Sequence, residues 1–366
     1  MTTSRVLSFL CFVLFCLIVH ETGISGEQLP ERHQLVVYAI NGLTAEMAMA
    51  RHMPTMAKVF QQGGITAKMR TTYATRSPVA NWIGIFHGAS SVEYGCDNNG
   101  CNNVPRMDPS ARSLVAIMEN NYAYETQVFS EDGQRFNEML ERDEDVNVHS
   151  HGVCSRGVFE DVMTYAYDDD VVRANRTIIL VNIMCLDNLG ESDGYGLENY
   201  VSRVLCLDKE LASMTKALWQ RNEEATTFIM VANHGGLMYN HGQFNLDTIA
   251  VPFAVWGYGF RRHASMIGEP TTTQEIAPTL FKALNIEESA SRTWLERAIT
   301  SNIYSSNSTV ESARYSDIAE LAIPQIDEEE CDVVFTIRHG RIRDFYVSVR
   351  IIVSVLIIAF AISMFH

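Results

Sequence analysis

The sequence predicts a three-layer α/β/α sandwich built on a mostly parallel sheet. Short apolar runs rich in β-branched residues alternate along the chain with longer amphipathic stretches. This is the pattern of strands buried between two layers of helices. Polar residues and glycines follow three of the apolar runs within a few residues. Ligands bind beyond the carboxyl ends of strands in such sheets, so we expect a functional site there.

The apolar runs and the amphipathic stretches define the expected elements. We predict strands at 35–40, 177–183, 226–231 and 249–255. Helical periodicity predicts helices at 53–62, 81–87, 110–120, 196–220 and 273–284. Residues 286–335 are the least strand-like part and are expected to form peripheral helices and a linker.

Both ends of the chain carry apolar segments of the kind that direct a protein to a membrane. Residues 1–26 contain Arg5, an apolar stretch and small residues, which predicts a cleaved secretory signal. Residues 345–366 predict a membrane anchor, after a juxtamembrane linker at 336–344. A lipid-anchor signal is the alternative for this last segment. The domain at 27–335 would then face the lumen or the cell exterior of a single-pass protein.

Cysteines and glycosylation sequons agree with that location. Acceptor triplets begin at Asn175 and Asn307. Six cysteines remain outside the signal, an even number that suits disulfides in an oxidising compartment. Cys96 and Cys101 close a turn-rich loop and are predicted to pair. The pairing of the other four stays open: Cys154, Cys185, Cys206 and Cys331.

The charge of the chain bears on its partners. The formal net charge is −16 at pH 7, and the predicted domain has no cluster of Lys and Arg. Binding to nucleic-acid phosphates needs a basic face, so we expect no nucleic-acid partner.

The residues after the predicted strands have the chemistry of metal ligands. Asn41 follows the first run, and Asp187 and Glu191 follow the second. His234 and His241 lie seven residues apart after the third. Imidazole and carboxylate side chains are the usual protein ligands of zinc, so this pattern indicates a metal pocket.

Several further segments resemble the alkaline phosphatase superfamily. MPTMAKVFQQGG at 53–64 is similar to an early helix of that family, and NWIGIFHG at 81–88 with EYG at 93–95 resembles the segment after its nucleophile. QEIAPT at 274–279 is similar to a late helix. The resemblance is to the type I phosphodiesterase and nucleotide pyrophosphatase branch and to sulfatase-like proteins. It implies a two-zinc hydrolase of phosphoesters or sulfoesters, with a Thr or Ser nucleophile.

The family's metal ligands can be matched to this sequence one by one, and several are replaced. The first metal aspartate corresponds to Asn41, which is neutral. The D-x-x-G-H motif corresponds to Asp187 through Glu191, with a glutamate in place of the histidine. The D-H-G motif corresponds to Asn233 and His234, and the final histidine is His241.

The resemblance sorts these residues into two sites of unequal strength. One site would use Asp187, Glu191 and His241, and the other Asn41, Asn233 and His234. The second set has no anionic ligand and should bind a divalent ion poorly. We therefore predict at most one metal, zinc or alternatively magnesium or manganese. The alternative is no metal, with Asp187, Glu191 and His241 hydrogen-bonded to one another.

The nucleophile is the weakest part of the match. Alignment without gaps places Pro78, which cannot attack, at the nucleophile's position. Ser77 and Thr75 lie close by and are weak candidates, because Ser and Thr before proline also favour turns without chemistry.

Three hypotheses for function follow. The first is a membrane-anchored, degenerate member of the superfamily that binds a phosphoester or sulfoester ligand, or a partner, without turnover. The second is an active one-metal hydrolase that uses Ser77, Thr75 or a metal-bound hydroxide as nucleophile. The third is a structural surface or envelope glycoprotein.

Overall fold

A computed structural model describes most of the predicted domain. The described residues are 29–49, 51–71, 78–89, 112–133, 136, 140, 147–168, 175–222, 225–261, 271–286, 298–299, 303–304 and 331. The predicted signal, juxtamembrane linker and anchor lie outside them, as do Thr75, Ser77, Cys96, Cys101 and Asn307. Within these ranges, no helix is both long and apolar enough to cross a membrane.

A seven-stranded sheet forms the centre of the described part of the chain, with the strand order β2-β7-β6-β1-β5-β3-β4. Strand β7 is antiparallel to both of its neighbours, and the other pairs are parallel. The strands are β1 (His33–Ile40), β2 (Gly64–Arg70), β3 (Tyr124–Ser130), β4 (Asn147–Ser150), β5 (Arg176–Ile183), β6 (Thr226–Ala232) and β7 (Ala250–Gly257). The predicted fold class, an α/β protein with a mostly parallel sheet, is confirmed.

Helices connect and cover these strands. They are α1 (Pro54–Phe60), α2 (Pro78–His87), α3 (Leu114–Tyr122), α4 (Gly157–Tyr167), α5 (Cys185–Leu189), α6 (Glu198–Arg221), α7 (Leu246–Ile249) and α8 (Ile276–Ala283). A π-helical turn, Gly190–Gly194, follows α5, and a 3₁₀ turn, Thr273–Glu275, precedes α8.

The core explains why the central strands are continuously apolar. All eight residues of β1 are buried, because β5 and β6 flank it and helices cover the sheet. The rings of Trp219 on α6, Phe228 on β6 and Trp256 on β7 stack in sequence, with centroids 6.0 and 5.2 Å apart. This packing holds the long helix α6 against the sheet.

Three strands were not predicted from the sequence, and each lies toward an edge of the sheet. Strand β2 is an edge strand that carries the exposed Lys68 and Arg70, so its apolar pattern is interrupted. Strand β4 is the other edge strand, β3 lies next to it, and both contain many polar residues. Edge strands contact fewer neighbours, and a mixed composition suffices there.

Two disulfides settle the pairing that the sequence left open. Cys154 pairs with Cys185, and Cys206 pairs with Cys331. The first joins the segment after β4 to the first residue of α5, which is the helix that carries Asp187. The predicted Cys96–Cys101 pair lies outside the described residues.

Candidate metal centre

The carboxyl ends of three adjacent parallel strands meet at one edge of the sheet. Ile40, the last residue of β1, pairs with Ile183 of β5 and with Ala232 of β6. The segments that follow these three strands therefore begin side by side. They bring Asn41, Asp187, Asn233 and His234 to the same place, and the loop after β6 adds His241.

Asp187, His234 and His241 form a buried cluster suited to a metal ion. One ligand atom from each lies within 4.8 Å of the others. Oδ1 of Asp187 is 3.7 Å from Nε2 of His234 and 3.8 Å from Nε2 of His241. A tetrahedral zinc with bonds near 2.0 Å separates its ligand atoms by about 3.3 Å. Small side-chain movements would therefore bring these three atoms into a coordination shell.

His234 is held in the form that a metal requires. Its Nδ1 lies 2.9 Å from the carbonyl oxygen of Gly235, so Nδ1 carries the proton and donates it there. Nε2 is buried and has no hydrogen-bond partner. Burial lowers the pKa of His234, and His241 lowers it further although Asp187 opposes the shift. The imidazole is therefore neutral, with a free electron pair on Nε2 directed toward Asp187.

Tyr195 completes the cluster, although no pattern in the sequence indicates it. Its hydroxyl donates a hydrogen bond of 2.6 Å to Oδ1 of Asp187. Its ring packs against Gly190 and Gly236, where a Cβ atom on either glycine would lie 2.4 Å from the ring. Burial raises the pKa of Tyr195, and the Asp187 carboxylate raises it further. The hydroxyl therefore stays protonated and acts as a donor.

Glu191 lies at the mouth of the cluster. Its Oε1 is 3.1 Å from Nε2 of His241, and its side chain is 55% exposed. The sequence resemblance groups Glu191 with Asp187 and His241 and places His234 in a separate site. The structure instead brings His234 as close to Asp187 as His241 is, and leaves Glu191 on the solvent side.

The two asparagines of the predicted second site are buried at the same edge but have different surroundings. Oδ1 of Asn41 accepts a hydrogen bond of 3.1 Å from the indole Nε1 of Trp82 on α2. Neither amide atom of Asn233 has a hydrogen-bond partner. Gly42, next to Asn41, has φ of 75° and touches the Asp187 backbone, where a Cβ would lie 2.8 Å from Cα. This close approach fixes the turn after β1 against the segment that carries Asp187.

Glu131 supports the same edge from the end of β3, and the sequence analysis did not identify it either. Its carboxylate accepts hydrogen bonds from the backbone N–H of Cys154 at 3.0 Å and of Met184 at 2.5 Å. It thereby holds the segments on both sides of the Cys154–Cys185 disulfide. Burial raises the pKa of Glu131 to about 7, although Arg203 and the backbone donors oppose the shift.

The nucleophile position is only partly described. Helix α2 begins at Pro78, and the two candidate hydroxyls, Ser77 and Thr75, lie outside the described residues. Asn81, in the first turn of α2, is fully buried, and neither of its amide atoms has a hydrogen-bond partner. The proline at the start of the helix is compatible with helix geometry, because its missing N–H needs no partner there.

Comparison by sequence and by structure gave different results. No known family's sequence profile matches this chain, and no curated protein matches it in sequence. Solved structures do match. A 2-O GAG sulfatase is 13% identical with a TM-score of 0.55, covering 75% of this chain and 76% of that one. Murine ectonucleotide pyrophosphatase / phosphodiesterase 5, in its inactive T72A form with AMP, is 10% identical with a TM-score of 0.52, covering 69% and 95%.

A third structure extends the range of activities found on this fold. The C-terminal periplasmic domain of a phosphoethanolamine transferase from Campylobacter jejuni is 8% identical with a TM-score of 0.50, covering 73% of this chain and 94% of that one. At these identities the likeness describes the fold. The described domain shares its fold with a sulfatase and with a nucleotide pyrophosphatase / phosphodiesterase, the two kinds of protein that the sequence resembles. Activity must be argued from the site, because one fold supports many functions.

Proposed function

We propose that the domain binds one divalent cation at Asp187, His234 and His241, and through it the anionic group of a phosphoester or sulfoester. We further propose that it lacks the two-metal, covalent turnover that the resemblance implies, and so is a degenerate member of its fold class. One observation carries the proposal. A buried carboxylate and two imidazoles converge within 4.8 Å, while the neighbouring ligand positions hold amides.

The donor set favours zinc. Two imidazoles and one carboxylate are a common zinc set that leaves a fourth position open for a ligand. Magnesium and manganese prefer more oxygen ligands and are weaker alternatives. A bound cation would offset the charge of an ester oxyanion. That contribution matters in a chain with a net charge of −16, which would otherwise repel an anion.

The second metal position lacks the charge that a divalent ion needs. Asn41 and Asn233 offer only neutral amides, and the oxygen of Asn41 already accepts the Trp82 indole hydrogen. Without an anionic ligand the cost of removing water from a divalent ion is poorly offset. A single cation therefore accounts for the site better than a pair.

One-metal hydrolysis is the second candidate function, and the position of Glu191 favours it. Its exposed carboxylate lies 3.1 Å from His241, at the mouth where water reaches the cluster. A carboxylate at this position could accept a proton from an attacking water. In this case Glu191→Gln would abolish turnover and leave cation binding intact.

The first experiment titrates the metal-stripped domain with zinc and measures hydrolysis of nitrophenyl phosphate, bis-nitrophenyl phosphate and nitrophenyl sulfate. We expect one zinc per chain, zinc-dependent binding of phosphate or sulfate, and no turnover. Asp187→Asn should abolish both kinds of binding. Asp161→Asn is the matched control, because Asp161 is likewise paired with a histidine, His151 at 2.8 Å, but lies outside the cluster. Protein that binds neither zinc nor anions would contradict the proposal.

Turnover in this experiment would support the hydrolase instead. Loss of turnover in Ser77→Ala or Thr75→Ala would identify a hydroxyl nucleophile. Turnover that depends on Glu191 but not on either hydroxyl would identify water as the nucleophile. A purely structural surface or envelope glycoprotein would bind no cation at all.

We also propose that the protein enters the secretory pathway and is anchored at the cell surface or an endomembrane by residues 345–366. The exposed side chain of Asn175 and the two disulfides support this location. In expressing cells, Asn175→Gln should remove a mobility shift that glycosidase treatment also removes. Resistance to alkaline extraction and to phosphatidylinositol phospholipase would support the protein anchor, and release by the phospholipase would support the lipid anchor.

A further inference from the structure

Large apolar side chains are exposed on the two chain segments that carry Asp187 and His241. Nine large hydrophobic residues are exposed among the described residues, and six of them belong to one group that we name the apolar rim. Phe244 is 86% exposed and Met238 is 71% exposed. The rim consists of Leu197, Leu237, Met238, Tyr239, Phe244 and Leu246. Clustering of this kind marks a binding surface more often than single exposed residues do.

The rim is connected to the cluster by direct contacts. Most of it lies on the segment from Gly235 to Leu246, which also carries His241. The carbonyl of Met238 accepts a hydrogen bond of 2.6 Å from the backbone N–H of Tyr195. The ring of Tyr195 packs on Gly236, and its hydroxyl contacts Asp187. The backbone of the rim is therefore one tyrosine side chain away from the proposed cation.

The backbone at Met238 is in a strained conformation, and its side chain is exposed. Leu237 and Asn240 exchange two backbone hydrogen bonds of 2.9 and 3.1 Å, which close a tight turn around Met238 and Tyr239. Met238 has φ of 56°, in the left-handed region that glycine adopts most easily. A long apolar residue at this position is unfavourable for the turn itself. Strain of this kind is common at functional sites.

The charges around the rim indicate what can bind there. Residues 187–202 and 233–260 contain no Lys or Arg, and Glu191, Asp193, Glu198 and Asp247 lie in these segments. An anionic bilayer surface, or a second copy of a chain with a net charge of −16, would be repelled. A single small molecule can place its anionic group on the cation and its hydrocarbon group on the rim.

We propose that the site binds an amphiphilic phosphoester or sulfoester, whose hydrocarbon group contacts the apolar rim while its anionic group faces Asp187, His234 and His241. This inference rests on the proposed function, since the anionic group needs the cation. The rim determines specificity through contact with the hydrocarbon. Esters of small polar alcohols would then bind more weakly than esters of long-chain or ring-bearing alcohols.

The test uses n-alkylphosphonates, whose carbon–phosphorus bond resists hydrolysis. Affinities of methyl-, butyl- and octylphosphonate for the zinc-loaded protein are measured by calorimetry, below the concentration at which they form micelles. Each methylene that is fully removed from water strengthens binding about fourfold. Because the rim residues are themselves exposed to solvent, burial of the hydrocarbon is incomplete, and we expect octylphosphonate to bind at least about tenfold more tightly than methylphosphonate.

Three variants separate the rim from the cation site. Met238→Gly should reduce the preference for octylphosphonate over methylphosphonate by at least about threefold. The melting temperature should stay the same or rise, because glycine adopts the left-handed backbone conformation without strain. Phe244→Ser should reduce the preference similarly. Both should weaken octylphosphonate binding more than methylphosphonate binding, since neither variant removes a proposed cation ligand. Tyr167→Ser is the matched control, because Tyr167 is an exposed aromatic at 59% outside the rim and its loss should change nothing.

The outcomes distinguish failure of this inference from failure of the proposed function. Equal, zinc-dependent binding of all three phosphonates would overturn the rim inference and leave the proposed function standing. No zinc-dependent binding of any phosphonate would overturn both. Phe244-dependent binding to neutral phosphatidylcholine vesicles without a chain-length preference would also overturn it, as would Phe244-dependent dimers seen in sedimentation.

Discussion

The hydroxyl of Tyr195 and the carboxylate of Asp187 form a hydrogen bond of 2.6 Å at the centre of the candidate metal site. The accepting oxygen is Oδ1, the same atom that faces Nε2 of His234 and Nε2 of His241. Tyr195 therefore fixes the orientation of the only anionic ligand in the buried cluster. Hydrogen bonds to metal ligands commonly tune metal affinity in this way.

Removing the Tyr195 hydroxyl should weaken cation binding. We expect Tyr195→Phe to lower zinc affinity by about tenfold, because the carboxylate of Asp187 loses the donor that orients it. Competition with a coloured chelator measures the change. Tyr38→Phe is the control, since its buried hydroxyl bonds Thr215 and its removal should cost about 1 kcal/mol of stability without changing zinc affinity. Equal zinc affinity in the wild type and Tyr195→Phe would show that Tyr195 has no positioning role.

Restoring carboxylates at the second position should restore a second cation. We expect the double variant Asn41→Asp/Asn233→Asp to bind two zinc ions per chain, because the two new carboxylates supply the negative charge that a second ion needs. Without zinc the variant should be less stable than the wild type, since two carboxylates are buried without partners. Metal analysis and thermal denaturation with and without zinc measure both effects.

The control for that experiment is Gln34→Glu. Gln34 is buried near the opposite end of β1, where its amide donates to the carbonyl of Leu218. A glutamate there should destabilise the protein equally with and without zinc and bind no second ion. If the double variant binds only one zinc ion, the amides of Asn41 and Asn233 are not the reason why the second position binds no cation.

Buried Glu131 should make stability depend on pH. Burial raises its folded-state pKa to about 7, above the ordinary value of 4.5 in an unfolded chain. Its favourable contribution to the free energy of unfolding is fully present below about pH 4.5. It is lost as the pH rises through about 7, a change of up to about 3 kcal/mol. The free energy of unfolding, measured with denaturant across this range, should fall less steeply with rising pH in Glu131→Gln.

This pH effect must be measured as a difference between wild type and variant. Burial lowers the pKa of His33 to about 3. The contribution of His33 to the free energy of unfolding is therefore lost as the pH falls below about 6.5, which is the opposite pH dependence to that of Glu131. His33 is unchanged in Glu131→Gln, and its contribution cancels in the comparison. Parallel curves for the two proteins would contradict the assignment to Glu131.

The central fold was predictable because its signals are local. Strands β1, β5 and β6 are mostly apolar and almost entirely buried, and the residues that follow them meet because parallel neighbours end together. The edge strands β2 and β4, and β3 beside β4, are shorter or more polar, and their pairing depends on distant partners. Sequence periodicity alone does not specify such partners.

The fine geometry of the site was less predictable. The approach of His234 to Asp187 depends on which imidazole nitrogen is free, and the contact with the carbonyl of Gly235 decides that. Tyr195 reaches Asp187 because Gly190 and Gly236 leave room for its ring, a relationship between three chain segments. Glu131 looks like any acidic residue after a strand until its backbone donors are known.

A crystal structure of the protein soaked in zinc, with anomalous data at the zinc edge, tests the central claim most directly. We predict one zinc per chain, bound by Oδ1 of Asp187, Nε2 of His234 and Nε2 of His241 at about 2.0–2.2 Å, with the fourth position open. Two zinc ions per chain, or a single zinc held by Asn41 and Asn233, or no zinc at the cluster, would contradict it.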